Sequence, residues 1–299
     1  MKYIIDTDPG IDDSIAICMA VRSGLNIIGF TLAPGNIPQV KSSENLKIVQ
    51  EFLGTNIKMY KGQPDKKKNQ ETAEYAHGID GLGYYAFPNK STKKYERTKA
   101  ENFIIKSAKK YKDDLTLVCL GSSTNLYNAL KKKKSLPKYL KHVIIMGAAY
   151  DPEADKQYKD FNIRSNPKAA KLVYETKFDD VKIVTHEMGI EAYIEKDYAK
   201  ILKKSSDSVS RFIGLISEKY IEFAESRHGT PGIESPDPIT ISSIIDPSIV
   251  KFKPCDIKIV TKGEDKGEAK ITFNDESTKQ IAVSCNVAKY RKLFKSIFN

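Results

Sequence analysis

Apolar residues in this chain fall into short runs separated by longer stretches of helical spacing. Residues 3–5, 27–32, 115–120, 143–146 and 181–185 are apolar, rich in β-branched side chains and short enough to be strands. Between them, residues 15–21, 42–53, 100–111, 125–131 and 167–175 carry apolar positions at helical intervals. This alternation predicts an α/β fold: an open, mostly parallel sheet flanked by helices. Ligands in such sheets bind beyond the carboxyl ends of the strands, so the residues just after each run are the first candidates for chemistry. The last third reads differently, with a long amphipathic helix over 207–227 and another over 239–245. Short strands at 256–261, 269–273 and 280–283 and a closing helix follow. No Pro/Gly/Ser-rich linker interrupts the pattern. The expectation is one domain over 1–299, with a small β-rich C-terminal appendage.

Composition narrows the class. The chain has 299 residues, 40% hydrophobic and 29% charged, as expected of a globular protein rather than a disordered one. No apolar run approaches the roughly 18 residues of a membrane span, and the start of the sequence lacks the pattern of a secretory leader. A cytoplasmic enzyme with no membrane partner is the expectation. The net charge of +11 is carried mostly by lysine, with short runs at 66–68 and 131–134. No run interleaves basic and aromatic residues, so a lysine-rich surface is read here and not a nucleic-acid groove. Cys18, Cys119, Cys255 and Cys285 are far apart and embedded in apolar segments, as buried reduced thiols are.

The densest chemistry follows the first strand. Asp6, Asp8, Asp12 and Asp13 fall within eight residues, interrupted by Pro9-Gly10. Proline fixes φ and glycine relaxes it, so this pair turns the chain and brings the acids back together ahead of the helix over 15–21. Clustered carboxylates repel one another unless a cation compensates them, and an all-oxygen set selects a hard divalent ion. Asp12 and Asp13 alone would read as acids at a helix N-terminus; the whole string asks for more.

That string, Asp6-Thr7-Asp8-Pro9-Gly10-Ile11-Asp12-Asp13, resembles the signature of the nucleoside hydrolase family, inosine-uridine preferring type. Further landmarks follow in order over nearly the whole chain: Ala33-Pro34-Gly35-Asn36, His77-Gly78-Ile79-Asp80-Gly81-Leu82-Gly83, Gly121-Ser122-Ser123-Thr124-Asn125, Asp160-Phe161-Asn162 and Pro236-Asp237-Pro238. The resemblance implies a Rossmann-like core and one calcium ion held by Asp8, Asp13, Asp237 and the backbone carbonyl of Thr124. The ribose hydroxyls of a ribonucleoside complete the coordination, and Asp12, Asn36, Asp160 and Asn162 hold the sugar. A water activated beside the ion attacks C1′, with Asp8 as its base, and the acids stabilise an oxocarbenium-like transition state. The resemblance also suggests a homodimer or homotetramer. Asp6 is left with a structural role at the strand end.

Three departures bear on the chemistry. Pro236 stands where the family has a histidine associated with protonating the leaving base. Asp160 is one methylene shorter than the family's glutamate. Gly147-Ala148 replaces a Gly-Gly, and residues 151–159 lack the Gly-Asn that precedes the Glu-Phe-Asn segment. Among the four histidines, His142 and His186 read as structural, the latter closing the strand over 181–185. His77 and His228 are the candidates for activating the leaving base. Two other readings stay open at this point. One is a relative that binds N-ribosides without turning them over. The other is a haloacid-dehalogenase-like phosphatase with Asp6 as nucleophile, Asp8 as acid/base and magnesium, which leaves Pro9-Gly10 and Asp12-Asp13 unexplained and Asp179-Asp180 on the wrong side of its strand.

Overall fold

A computed structural model describes residues 1–63, 71–87 and 91–299; the lysine run at 66–68 lies outside them. Its strands, in chain order, are β1 (Lys2–Thr7), β2 (Ile27–Leu32), β3 (Met59–Lys61), β4 (Leu115–Cys119), β5 (His142–Met146), β6 (Ala149–Asp151) and β7 (Lys156–Tyr158). They continue with β8 (Asp180–Val184), β9 (Ile194–Glu195), β10 (Gly232–Ile233), β11 (Val250–Ile259), β12 (Ala269–Phe273) and β13 (Lys279–Cys285). Nine form one sheet in the order β12-β11-β13-β8-β5-β4-β1-β2-β3. All neighbours from β13 to β3 are parallel, and β11 and β12 are antiparallel at one edge. Two small antiparallel ribbons, β6–β7 and β9–β10, stand apart from it.

Both faces of the central strands are covered. Ile5 and Val118 join the core on one face, whereas Ile4, Leu117 and Cys119 join the core on the other. The two-residue period of a strand thus feeds two helical layers at once. The helices Ala100–Tyr111, Thr124–Lys132 and Pro167–Glu175 cover one face, and Ile11–Arg22, Ser208–His228, Pro236–Ile245 and Val287–Ile297 cover the other.

The order β4-β1-β2 places a topological switch at β1. The chain leaves β1 toward β2 on one side and returns on the other as β4. The crevice beyond the carboxyl ends of these strands is where such a sheet binds ligands. The first helix begins at Ile11, so Asp12 and Asp13 lie in its first turn and not ahead of it.

The C-terminal β-rich segment is built onto the main sheet, with β13 beside β8. β11 starts at Val250, six residues before the expected strand, because its first half alternates exposed Lys251 and Lys253 with half-buried Phe252 and Pro254. That period-2 pattern is a strand buried on one face rather than an apolar run. The Cys18, Cys119 and Cys255 thiols are free and buried, and Cys285 is free and half-buried. Among the described residues no helix is long and apolar enough to cross a membrane.

Candidate active site

The acids converge at the switch. Asp13 is fully buried and accepts four hydrogen bonds: Thr7 Oγ1 (2.5 Å) and the Asp8 N–H (3.1 Å) on Oδ1, and the Gly10 N–H (3.1 Å) and Asn36 Nδ2 (2.8 Å) on Oδ2. Asp13 therefore ties the turn Pro9-Gly10, the end of β1 and the loop after β2 into one unit.

Asp8 is treated differently. Its Oδ2 accepts the Asn36 N–H at 2.6 Å, while its buried Oδ1 has no hydrogen-bond partner. The carboxylate is gripped between two glycines: a Cβ on Gly35 would lie 1.9 Å from Oδ2, and one on Gly121 would lie 1.7 Å from Oδ1. Both glycines are there because the backbone must approach this closely.

Asp12, Asp13 and Asp237 each offer a buried oxygen within 4.8 Å of the others. Burial, then repulsion from Asp13, pushes Asp12 up to about 8 and holds Asp8 well above the ordinary carboxylate range. Asp237 is raised by burial and by Asp12, Asp13 and Asp8. Burial raises Asp13 as well, against the pull of its hydrogen bonds. Among the described residues the one ionic neighbour of these four is His77, with Nδ1 3.9 Å from Asp12. It brings no charge: burial pushes His77 down to about 3, and its Nδ1 accepts the Ile11 N–H at 3.2 Å. The unpartnered oxygens Asp8 Oδ1 and Asp12 Oδ1 and an oxygen-only donor set fit a hard divalent cation.

Above the acids opens a cavity of about 810 Å³, lined by Asp12, Asn36 and Asp237 near the cluster and by Asp160, Asn162 and Glu187 elsewhere. Aromatic rings make one wall. His77 stacks on Tyr220 at 5.2 Å, Tyr220 on Phe223 at 6.2 Å, and Phe223 meets His228 edge-on at 5.7 Å.

Several expected sugar ligands are already engaged. Asn36 spends its side-chain amide on Asp13, so it fixes the acids. Asp160 caps the helix Phe161–Ser165, accepting the Ile163 N–H at 2.8 Å; burial raises it to about 6. Asn162 donates to the Leu120 carbonyl at the end of β4, at 2.7 Å. Thr124 is the first residue of its helix, behind Ser123 in the cap position, and its hydroxyl contacts Ser122 (3.1 Å) and Asn166 (3.0 Å). Ser122 in turn donates to the Pro34 carbonyl, joining the loops after β4 and β2.

Asp6 is sealed within the sheet, accepting Thr31 Oγ1 (2.5 Å) and Asn125 Nδ2 (2.7 Å) on Oδ1, and burial raises it to about 7. That removes it as a phosphatase nucleophile. His142 sits at the amino end of β5, paired with Asp180 at 3.1 Å, and is structural. His186 is a correction. It opens the helix His186–Glu191 instead of closing a strand, and it lines the cavity 5.8 Å, ring to ring, from His228. Sequence reasoning also missed two acids. Glu187, raised by burial to about 7, lies just past β8, where the carboxyl-end rule would have found it. Glu234, fully buried, lies within hydrogen-bond distance of His228 Nδ1, at 2.7 Å, and carried no signal in the sequence.

The sequence model for the inosine-uridine preferring nucleoside hydrolases matches residues 3–292. The chain is 29% identical over 272 residues to the probable uridine nucleosidase 2 of Oryza sativa subsp. japonica, covering 89% of this chain and 80% of that one. It is 27% identical over 268 residues to the inosine-uridine preferring nucleoside hydrolase of Crithidia fasciculata, covering 87% and 84%. Its fold superposes on the purine-preferring ribonucleoside hydrolase from Gardnerella vaginalis with a TM-score of 0.91 and 26% identity, over 100% and 98% of the two chains. With the acids after β1, the loops that clamp them and the match over nearly its whole length, the chain belongs to the inosine-uridine preferring nucleoside hydrolase family.

Proposed function

We propose that this protein hydrolyses the N-glycosidic bond of ribonucleosides, releasing ribose and the free base, with calcium as its cofactor. The observation that carries the reading is the set of buried acids, Asp8, Asp12, Asp13 and Asp237, without a compensating cation among the described residues; two of the acids, Asp12 and Asp237, line the cavity of about 810 Å³. Calcium held by Asp8, Asp13, Asp237 and the Thr124 carbonyl would supply Lewis acidity and a grip on the ribose diol.

The chain's own residues do the rest. Asp8 Oδ1, free of hydrogen bonds and fixed between two glycines, takes the proton of the attacking water. Asp12, a cavity-lining acid with a buried unpartnered oxygen, holds a ribose hydroxyl, and Asn162 and Asp160 border the sugar further along the cavity. The negative field of the acids stabilises the positive charge that develops at C1′ as the bond to the base breaks. The Tyr220–Phe223 wall offers a stacking face for a planar base. His77 has its Nδ1 committed to a backbone N–H, so any proton it gives comes from Nε2 of a neutral ring.

The test is release of free sugar from a panel of ribosides and 2′-deoxyribosides, with and without a calcium chelator. Ribosides should be cleaved, deoxyribosides should resist, and chelation should abolish turnover. Calcium-dependent binding of ribosides with no sugar released would replace hydrolysis by a binding function.

A further inference from the structure

Glu234 has no place in the reaction outlined above, yet its environment is demanding. It is fully buried, one carboxylate oxygen lies 2.7 Å from His228 Nδ1, and the other has no partner. His228 ends the helix Ser208–His228, lines the cavity and closes the aromatic wall. His186 stands beside it, and burial favours its neutral form.

His186, His228 and Glu234 place three donor atoms within 4.8 Å of one another, which invites a metal reading. Two ligands of one tetrahedral ion with bonds near 2.0 Å stand about 3.3 Å apart. The 2.7 Å between His228 and Glu234 is shorter than that and fits a shared proton.

We infer that Glu234 is a positioning residue that accepts the Nδ1–H of His228 and so turns Nε2 toward the cavity as the proton donor to the departing base. This inference rests on the hydrolase reading. The donating ring carries a proton on each nitrogen, with Nδ1–H held by Glu234. As the C1′–N bond breaks, its electron pair goes to the base and the Nε2 proton follows. The attacking water adds its oxygen to C1′ and gives a proton to Asp8, and that proton returns through solvent to His228. The dyad supplies from the end of one helix what Pro236, at the start of the next, has no proton to give.

The test compares Glu234→Gln, His228→Ala and the double variant on uridine, inosine and 4-nitrophenyl riboside, whose leaving group departs without a proton. Glu234→Gln should lower kcat on the nucleosides about 100-fold, a general-acid-sized effect, with KM within about threefold. Cleavage of 4-nitrophenyl riboside should change less than about fivefold, and this also reports that the variant is folded. The double variant should be no slower than His228→Ala alone, because the two residues act as a unit. Equal losses on all three substrates, or losses that add in the double variant, overturn the inference while leaving the hydrolase reading intact. A parent chain that cleaves none of the ribosides overturns both.

Discussion

Asn36 donates its side-chain amide to Asp13 Oδ2 at 2.8 Å while its own N–H holds Asp8 Oδ2 at 2.6 Å. One loop residue thus sets the spacing of two acids on either side of the Pro9-Gly10 turn. Partners of this kind orient metal ligands, and their loss costs about 10–100-fold in affinity or activity. Asn36→Ala is expected to weaken calcium binding by that factor, read by calorimetry, and to lower kcat at saturating calcium. Unchanged calcium affinity would mean that Asn36 serves the sugar alone.

Gly121 makes the sharper geometric test. An added Cβ there would sit 1.7 Å from Asp8 Oδ1, so Gly121→Ala must push the carboxylate aside. Displacements of about 1 Å at a reacting group can cost about 100-fold in rate. The expected result is a fall in kcat of that order. A wild-type rate would show that Asp8 has room to move without loss.

The acids also predict how stability follows pH. Asp12 rises from an ordinary value of 3.8 to about 8 in the fold, and Asp8, Asp13 and Asp237 shift the same way. Groups raised on folding contribute stability that is complete below the ordinary carboxylate value and disappears as pH rises through the folded value. The chelated protein should therefore melt at progressively lower temperature from about pH 4 to 8. Calcium at about 100 times its Kd adds about 2.7 kcal/mol and should raise Tm at pH 8 by about 5 °C. Asp237→Asn removes one charge from the cluster, so at pH 8 it should melt above the chelated parent while losing activity. Differential scanning calorimetry at pH 5 and 8, with and without calcium, checks all three statements.

Ala148 carries backbone strain. It is fully buried at φ 65°, in the left-handed region that favours glycine. A side chain there costs about 1–2 kcal/mol. Ala148→Gly should raise Tm by a few degrees in calorimetry with little change in KM. A fall in Tm would show that the methyl group's packing outweighs its strain.

The legible parts of this protein were those with a local signature. β2, β12 and the helices Ala100–Tyr111 and Pro167–Glu175 ran to the residue as their periodicity foretold. β3, only three residues long, and the first half of β11, with its exposed lysines, offered no apolar run to detect. In the site, the acids after β1 were readable because four of them share one turn. Glu234 was not, because its meaning lies in a partner on another helix. His186 was misassigned for a related reason: an apolar strand blends into the residue after it, and only the three-dimensional turn shows where the strand stops. Asn36 and Asp160 were singled out from the sequence, but Asn36 is occupied by Asp13, from the turn after β1, and Asp160 by capping its own helix.

The strand β13 runs between β8 and β11, so β8 has a free edge until residues 279–285 dock beside it. β8 delivers His186 and Glu187 to the cavity, and its hydrogen-bonding partner on that side lies about 100 residues further along. Pairings between such distant segments form slowly, because the intervening chain must be ordered first. During synthesis Asp8, Asp12 and Asp13 emerge first and Asp237 joins them only after β8, while the His186 side waits for one of the last segments of the sequence to arrive. Until β13 is seated, β8 is an exposed edge open to mispairing with another chain.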